Sequence, residues 1–347
     1  MRPEALALAI ETSCDETAAA VVARDGRVRS SVVASQAALH ARYGGVVPEL
    51  AARRHVEAVL PAVDTALTQA AIAWPDLTFV AVTRGPGLPA ALLVGLAAAK
   101  AMAFARDLPL VGVNHLAGHV WAHRLDAAPS LPRPAVCLVA SGSHTDLCLL
   151  PEGGGLRLLG TTVDDAAGEV FDKVARLLDL GYPGGPAIER AARQGDARAV
   201  AFPRTLRALR SPAGRTRVVG GPYAFSFSGL KTAVAVRREA WPGEAVADVA
   251  ASFQAAVVET LVKKTLAAAR DHGAAGVLLA GGVAANGPLR TAMAEGCARA
   301  GLALRVPPPW CCTDNAAMIG AAGWEAWAAG RRDGWDLDAE PDLPLEL

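Results

Sequence analysis

Residues 6–22 read LALAIETSCDETAAAVV, two apolar runs separated by the polar segment from Glu11 to Thr17. Residues 135–150 read AVCLVASGSHTDLCLL and repeat that layout around the polar segment from Ser141 to Asp146. Each apolar run is long enough for a strand, and each polar segment is short enough for a tight connection. Both stretches therefore predict a strand, a turn and an antiparallel return strand, and their likeness indicates an internal duplication.

Outside these stretches, short apolar runs alternate with longer segments of helical periodicity. Strands are predicted at residues 79–83, 110–113 and 276–280, and helices at residues 48–69, 90–104 and 316–329 and after Asn114 and Asn286. Such alternation is typical of α/β folds. The sequence therefore predicts an α/β protein in which each of two related halves begins with a strand, a turn and a strand.

Composition limits the class of protein. The chain has 347 residues, 52% of them hydrophobic and 20% charged, which suits two domains and excludes an intrinsically disordered chain. No apolar stretch reaches the roughly 18 residues that span a bilayer, and residues 1–10 lack a signal-peptide pattern. The six cysteines form no CxxC pair, which favours reduced thiols over a disulfide framework. We therefore expect a cytoplasmic protein without a membrane contact.

Two histidines at helical spacing form the first candidate site. His115 and His119 are four residues apart, so a helix places both imidazoles on one face, as two ligands of one metal ion require. The helix predicted after Asn114 runs through His123, which continues the stripe as a third ligand or as a bystander. Surface or core histidines without a metal are the alternative. Residue 116 is Leu, so the HExxH motif of zinc proteases and its general base are absent.

Glycine-rich turns and acidic residues form further candidates. Residues 141–145 (SGSHT), 182–186 (YPGGP) and 281–282 (GG) offer backbone N–H groups to an anion, or are simply turns. The acidic run at residues 164–173 is either a solvated helix or the lining of a cleft. Asp314 precedes a predicted helix, either as its cap or as an oxygen ligand of a metal. P-loop and GxGxxG motifs are absent, which argues against those two nucleotide sites.

Charge is balanced overall but segregated locally. Lys+Arg and Asp+Glu both number 34, which excludes a protein that is basic throughout. Residues 190–217 contain eight arginines and one acidic residue, as a solvated helical face or as a contact for phosphates. The segment after Arg332 has six acidic residues and no basic one. It predicts a solvated or loosely ordered acidic tail at residues 331–347.

Ten motifs occur in an order that resembles one family. They are 10–17 IETSCDET, 43–49 YGGVVPE, 85–88 GPGL, 114–119 NHLAGH, 141–145 SGSHT, 164–173 DDAAGEVFDK, 182–186 YPGGP, 227–233 FSGLKTA, 281–286 GGVAAN and 313–318 TDNAAM. The series resembles the tRNA N(6)-adenosine threonylcarbamoyltransferases. The resemblance implies the two-lobed, actin-like and sugar-kinase-like ATPase (ASKHA) fold, α/β with an internally duplicated core and a ligand cleft between the lobes. The implied lobes are residues 1–125, with the helix at about 313–330 packed on them, and residues 126–312.

The resemblance also implies a metal and a reaction. His115, His119 and Asp314 would hold one divalent metal ion per subunit, Fe2+ or Zn2+. The family transfers the threonylcarbamoyl group of threonylcarbamoyl-adenylate to the exocyclic amine of the adenosine just 3′ of the anticodon. It acts on tRNAs that read codons starting with A, and it releases AMP. Direct attack by the amine is favoured, because no residue of the sequence requires a covalent intermediate.

Nine further residues match the substrate-binding positions of the family. They are Val139, Ala140, Ser141, Gly142, Ser143, Asp172, Gly185, Glu189 and Asn286. Amides of the glycine turns suit a phosphate, and Asp172 and Asn286 suit sugar hydroxyls or base edges. Ser143 replaces the usual second glycine of the loop and would be strained if the backbone there required a positive φ. Glu189 stands where many members have Asp.

The resemblance implies tRNA as the macromolecular substrate, with Arg204, Arg207, Arg210 and Arg215 as candidate contacts. It also implies a TsaB-like paralogue and a TsaE-like small ATPase as partners, with a homodimer possible in their absence. Three alternatives are a metalloprotease, an ATPase or sugar kinase of the same fold, and a non-catalytic scaffold. Leu116 argues against the first and the histidine pair against the second, because Mg2+ prefers carboxylates and phosphates. The complete set of metal-ligand residues argues against the third.

Overall fold

In a computed structural model of the chain, the described residues are 4–126, 130–204, 209–210, 216–217, 220–240, 243 and 245–345. The strands are β1 Leu6–Glu11, β2 Glu16–Ala23, β3 Val28–Ser35, β4 Leu77–Gly85, β5 Leu110–Asn114, β6 Ala135–Ala140, β7 Thr145–Leu150, β8 Arg157–Thr161, β9 Leu209–Arg210, β10 Thr216–Arg217, β11 Gly276–Ala280 and β12 Ala303–Arg305. The helices are α1 Ala37–His40, α2 Pro48–Ala70, α3 Pro89–Ala105, α4 His115–Trp121, α5 Ala167–Leu177, α6 Gly184–Ala192, α7 Ser228–Ala240, α8 Val246–Asp271, α9 Gly287–Ala300 and α10 Ala316–Ala328. All the predicted strands and long helices are therefore confirmed.

The two large sheets have the same topology. The first has the strand order β3-β2-β1-β4-β5 and the second the order β8-β7-β6-β11-β12. In each sheet the first three strands in sequence are antiparallel neighbours, and the other two run parallel to the first of them. The two quoted stretches form the equivalent hairpins β1–β2 and β6–β7, so the internal duplication is confirmed.

The chain folds into two compact units. The first comprises Met1–Leu131 with Pro307–Leu345, and the second comprises Pro132–Val306. Each unit contains one of the two large sheets. The lobe boundaries that the resemblance implies stay predictions. Within the described part of the chain, no helix is both long and apolar enough to cross a membrane.

Both faces of the first sheet are covered by helices. Ile10 of β1 belongs to an apolar core that includes residues of α2 and α3. On the other face, α10 lies so close that a Cβ on Gly320 would approach the Val22 side chain to 2.6 Å. The indole of Trp324 also donates a hydrogen bond to the carbonyl of Val22, at 3.0 Å. The last long helix therefore packs on the first unit and brings Asp314, two residues before it, into that unit.

Of the two alternatives predicted for the tail, the solvated one holds for the exposed side chains of Asp336, Asp338 and Asp342, and the loosely ordered one is wrong. Asp333 accepts a hydrogen bond from the N–H of Gly112 at 2.7 Å, and its own N–H donates to the carbonyl of Leu110 at 2.9 Å. Leu337 and Leu345 are buried. The acidic composition of the tail did not indicate that two of its leucines would be buried. It also gave no information about β5, whose backbone groups at the edge of the sheet are available for pairing. We call residues 333–345 the carboxyl-terminal strap.

Candidate functional site

Three potential metal ligands meet in the first unit. His115 and His119 lie on the same face of α4, and their ring centroids are 4.9 Å apart. Oδ1 of Asp314 lies 3.2 Å from Nε2 of His119 and 3.6 Å from Nε2 of His115. One ligand atom from each residue lies within 4.8 Å of the others. The geometry therefore joins two residues of one short helix with a third that is almost 200 positions later in the sequence.

Two asparagine caps place these ligands. Asn114 ends β5 and caps α4, because its Oδ1 accepts hydrogen bonds from the N–H groups of Leu116 and Ala117 at 2.9 and 3.1 Å. Asn315 caps α10 in the same way, accepting from the N–H of Met318 at 3.0 Å. The cap of α10 is thus the residue after Asp314, and the carboxylate of Asp314 faces the histidines.

A buried carboxylate that sequence reasoning did not single out orients His115. Glu11 is the fully buried last residue of β1. Its Oε2 lies 2.9 Å from Nδ1 of His115 and accepts a hydrogen bond from the Thr83 hydroxyl at 2.7 Å. Its Oε1 accepts from the N–H of Ser13. The sequence did contain a signal for this role, because Glu11 is a charged residue at the end of an apolar strand. A charged side chain at such a position is buried only when it has partners.

The charges of the site are strongly coupled. Burial opposes a charged His115, but the carboxylates of Glu11 and Asp314 outweigh burial and raise the pKa of His115 to about 9. Burial likewise opposes the Glu11 carboxylate, but His115 outweighs it and lowers the pKa of Glu11. An ionised carboxylate only accepts hydrogen bonds, so the contact with Glu11 holds a proton on Nδ1 of His115. The other ring nitrogen, Nε2, faces Asp314. This pairing of a carboxylate with the far nitrogen of a ligating histidine is typical of metal sites.

The residues fit a transition metal. Both ring nitrogens of the buried His119 lack a hydrogen-bond partner among the described residues, although Nε2 is within 3.2 Å of Asp314. Two imidazoles and one carboxylate suit Zn2+ or Fe2+. His123 is not a member of this cluster of described residues, because α4 ends at Trp121 and His123 lies in the following 3-10 turn. The prediction that the helix continues through His123 is therefore wrong.

The predicted substrate-binding loop at residues 141–143 and the glycine turn at residues 281–282 lie at the carboxyl ends of two parallel strands in the second unit. β6 ends at Ala140, and β11 runs beside it with Ala280 opposite Val139. Gly281 follows with φ +83°, and a Cβ there would collide with the carbonyl of Ala140. The loop at 141–144 therefore lies beside the glycine turn at 281–282, which is where α/β sheets bind ligands.

The loop after β6 is held by its own serine. Ser141 Oγ accepts hydrogen bonds from the N–H groups of Ser143 and His144, at 3.4 and 3.1 Å. The carbonyl of Ser141 accepts from the N–H of Gly168 in α5, at 3.0 Å. Ser143 is exposed and is not among the described residues with a positive φ. The serine that replaces the usual glycine is therefore accommodated without backbone strain. Gly142 has open space beside its Cα.

Two of the other predicted substrate-binding residues, Asp172 and Asn286, form hydrogen bonds to α6. Asp172 Oδ1 accepts a hydrogen bond from the N–H of Gly184 at 2.7 Å, at the start of the helix that carries Gly185 and Glu189. Asn286 caps α9, and its Nδ2 donates to Glu189 Oε2 at 3.1 Å and to Gln254 at 2.9 Å. The Asn286 amide is thus engaged inside the protein, and its predicted bond to substrate stays a prediction. Val139 and Ala140 are buried, so they would meet a ligand through the backbone.

The acidic run at 164–173 organises a neighbouring segment. Asp164 accepts hydrogen bonds from the N–H groups of Phe227 and Ser228, at 2.8 and 3.2 Å, and from the hydroxyls of Ser226 and Ser228. Burial opposes its charge, but these donors outweigh burial and lower the pKa of Asp164. Asp165 pairs with Lys173 at 2.9 Å. The run is therefore more than a solvated helix, because it ties the 227–233 motif to the segment just before α5.

The candidate tRNA contacts are only partly within the described residues. Arg204 pairs with Glu259, and its guanidinium also donates to the carbonyl of Phe202 at 3.0 Å. Arg210 belongs to β9, where it pairs with Thr216 of β10. Arg207 and Arg215 lie outside the described residues. A role of these arginines in tRNA binding stays a prediction.

Comparison with known proteins identifies the family. The family model for TsaD, tRNA N6-adenosine threonylcarbamoyltransferase, matches residues 27–321. The chain belongs to this family. A tRNA N6-adenosine threonylcarbamoyltransferase of Symbiobacterium thermophilum is 54% identical over 99% of the chain and 98% of its own length. One of Moorella thermoacetica is 53% identical over 97% of the chain and 96% of its own length. The predicted membership is confirmed.

Solved structures that resemble this threonylcarbamoyltransferase family member are distant in sequence. HypF of T. kodakarensis has a TM-score of 0.60 at 15% identity, covering 94% of the chain and 48% of HypF. Component A of the (R)-2-hydroxyglutaryl-CoA dehydratase of Acidaminococcus fermentans has a TM-score of 0.54 at 13% identity, covering 93% and 99%. At these identities the likeness concerns the fold alone, and it confirms the α/β, ASKHA-type fold.

Proposed function

We propose that this threonylcarbamoyltransferase transfers the threonylcarbamoyl group from threonylcarbamoyl-adenylate to the exocyclic amine of the adenosine 3′ of the anticodon. The tRNAs would be those that read codons starting with A, and AMP would leave. The observation that carries the proposal is the cluster of Asp314 with the two buried histidines His115 and His119, in a member of a tRNA-modifying family. Leu116 offers no base beside the histidines, so a metalloprotease has less support.

In this proposal the first unit holds the metal. His115, His119 and Asp314 are the ligands of one divalent ion, Fe2+ or Zn2+, and Glu11 keeps Nε2 of His115 available for it. The ion would supply a Lewis acid for the carbamoyl oxygen and would balance the charge of the leaving phosphate. The amine of adenosine attacks the carbamoyl carbon directly, the bond from that carbon to the phosphate oxygen breaks, and the proton that the amine loses leaves with AMP or passes to water.

The second unit binds the adenylate in this proposal. The backbone N–H of Gly142 holds the phosphate, as those of glycine turns at strand ends do, because the N–H groups of Ser141 and Ser143 already donate within the loop. Asp172 and Glu189 accept hydrogen bonds from sugar hydroxyls or the base, with Gly185 allowing close approach because nothing fills the space beside it. Asn286 keeps the Glu189 carboxylate in place through its hydrogen bond. Val139 and Ala140 contribute backbone contacts.

Partners complete the proposal. The family acts on tRNA, and we propose that a TsaB-like paralogue and a TsaE-like small ATPase assist, with a homodimer forming in their absence. A formal net charge of zero supports the need for help, because tRNA binding usually requires a basic surface. We place the reaction in the cytoplasm, where the tRNA substrate is.

The test is product formation by the purified protein. It would be incubated with threonylcarbamoyl-adenylate, its partners and an unmodified transcript, and the digested tRNA analysed by mass spectrometry. The control transcript has guanosine in place of the adenosine 3′ of the anticodon. We expect threonylcarbamoyladenosine and an equal amount of AMP only with the first transcript. Absence of product with active partners, or ATP turnover that needs no tRNA, would favour a different substrate for the same fold.

Reversing two charges of the arginine-rich segment is expected to weaken tRNA binding. Each Arg→Glu change removes a phosphate partner and adds repulsion, so Arg207→Glu/Arg210→Glu should lower affinity about tenfold or more and reduce the salt dependence. Filter binding at several salt concentrations measures both. The matched control is Arg270→Glu/Arg299→Glu, a double reversal at exposed residues of the same unit. Equal affinity of the two variants would remove the segment from the tRNA-binding surface.

A further inference from the structure

The carboxyl-terminal strap runs from the sheet edge to the turn after β4. After Asp333 pairs with β5, the N–H of Glu340 donates to the carbonyl of Arg84 at 2.7 Å. The N–H of Gly87 then donates to the carbonyl of Pro341 at 3.0 Å. A Cβ on Gly85 would collide with the Glu340 carbonyl, so the strap and this turn fit closely. The strap is therefore held by backbone groups along its length.

The end of the strap reaches the cap of the metal-ligand helix. Nδ2 of Asn114 donates to the carbonyl of Pro344 at 3.0 Å and approaches that of Leu343 at 3.5 Å. The other end of the same amide, Oδ1, accepts from the first turn of α4. An amide has one donor end and one acceptor end, so carbonyls at Nδ2 force Oδ1 to face the helix. Leu345, the residue after Pro344, is buried and anchors the end of the strap.

We propose that the carboxyl-terminal strap is a positioning element for the metal site. By orienting the Asn114 amide, the strap fixes the first turn of α4, where His115 is the first residue and His119 follows one turn later. Asn114 is thus a positioning residue that acts through the helix and does not touch the metal. The inference rests on the proposed metal site. A strap that only covers the sheet edge would stabilise the fold without affecting metal binding.

The test uses the full chain and a chain that ends at Asp342. Co2+ titration, followed by its visible absorption, measures metal affinity, and hydrogen exchange of the peptide covering residues 115–121 measures the order of α4. We expect the shortened chain to bind Co2+ about fivefold more weakly or worse, and the amides of Leu116 and Ala117 to exchange faster by a similar factor. Asp342→Ala, which changes an exposed strap residue, should match the wild type.

A rescue variant separates positioning from general stability. Asn114→Asp keeps an acceptor for the helix, and a carboxylate needs no orienting because both of its oxygens accept. In the shortened chain Asn114→Asp should therefore restore Co2+ affinity to within about twofold of the full chain. If the shortened chain does not fold, the full chain with Leu345→Ala replaces it, because this change removes one buried anchor of the strap. We expect Leu345→Ala to weaken Co2+ binding in the same way and Asn114→Asp to restore it.

Two outcomes would overturn the proposal. One is unchanged Co2+ affinity and unchanged exchange in α4 after the strap end is removed. The other is a loss of affinity that Asn114→Asp does not restore. If the wild-type protein binds no Co2+, the metal part of the proposed function fails. The exchange rates of α4 in the same variants then still decide whether the strap positions the helix.

Discussion

The double variant His115→Ala/His119→Ala is expected to form at least about 100-fold less threonylcarbamoyladenosine than the wild type. The reason is the loss of two of the three ligands that meet within 4.8 Å. Asp314 alone is a weak site, so the Lewis acid and its charge are lost together. Initial rates by mass spectrometry and bound metal by elemental analysis measure the two effects on the same sample.

The matched control is His123→Asn. His123 belongs to the same histidine stripe but is separated from the cluster because α4 ends before it. We expect this variant to keep its metal and most of its activity. Wild-type rates from the double variant would show that the cluster plays no part in the transfer. Loss of metal in His123→Asn would instead add a fourth residue to the site.

Replacing Glu11 with glutamine is expected to lower metal affinity about 10- to 100-fold. The carboxylate accepts at both oxygens, from Ser13 on one and from Thr83 and His115 on the other. Glutamine has one acceptor and one donor end, so its NH2 group must face a donor on one side. The neutral amide also removes the negative charge that favours the proton on Nδ1 of His115, so the ring nitrogen that faces Asp314 becomes a poorer metal ligand. Co2+ titration of the variant measures the loss.

Glu57→Gln provides the control for the loss of one negative charge. Glu57 lies on α2 of the same unit, with its side chain 64% exposed and paired with Arg54. Exposed pairs of this kind contribute little, so we expect wild-type Co2+ affinity. If Glu11→Gln also retains wild-type affinity, Glu11 serves the fold and not the metal. Thermal unfolding of each metal-free protein separates these effects.

Local patterns were enough to predict most of the fold. The hairpins β1–β2 and β6–β7 were predicted from apolar runs on either side of a polar turn. The helix caps Asn114 and Asn286 were predicted from their positions just before helices. These signals are local, because strand and helix periodicities are properties of consecutive residues. The order of the acidic tail could not be predicted for the same reason, since its composition says nothing about the edge strand that it pairs with.

The sequence by itself determined the α/β elements, their duplication and, through its motifs, the family. Tertiary structure alone decided that Glu11 is the residue behind His115 and that Asn315, not Asp314, caps α10. It alone brought the carboxyl-terminal strap to Asn114, across about 230 positions. Each of these contacts joins segments that are distant in sequence. Their donors and acceptors must be satisfied because they are buried, and which partner satisfies them depends on how the strands and helices pack.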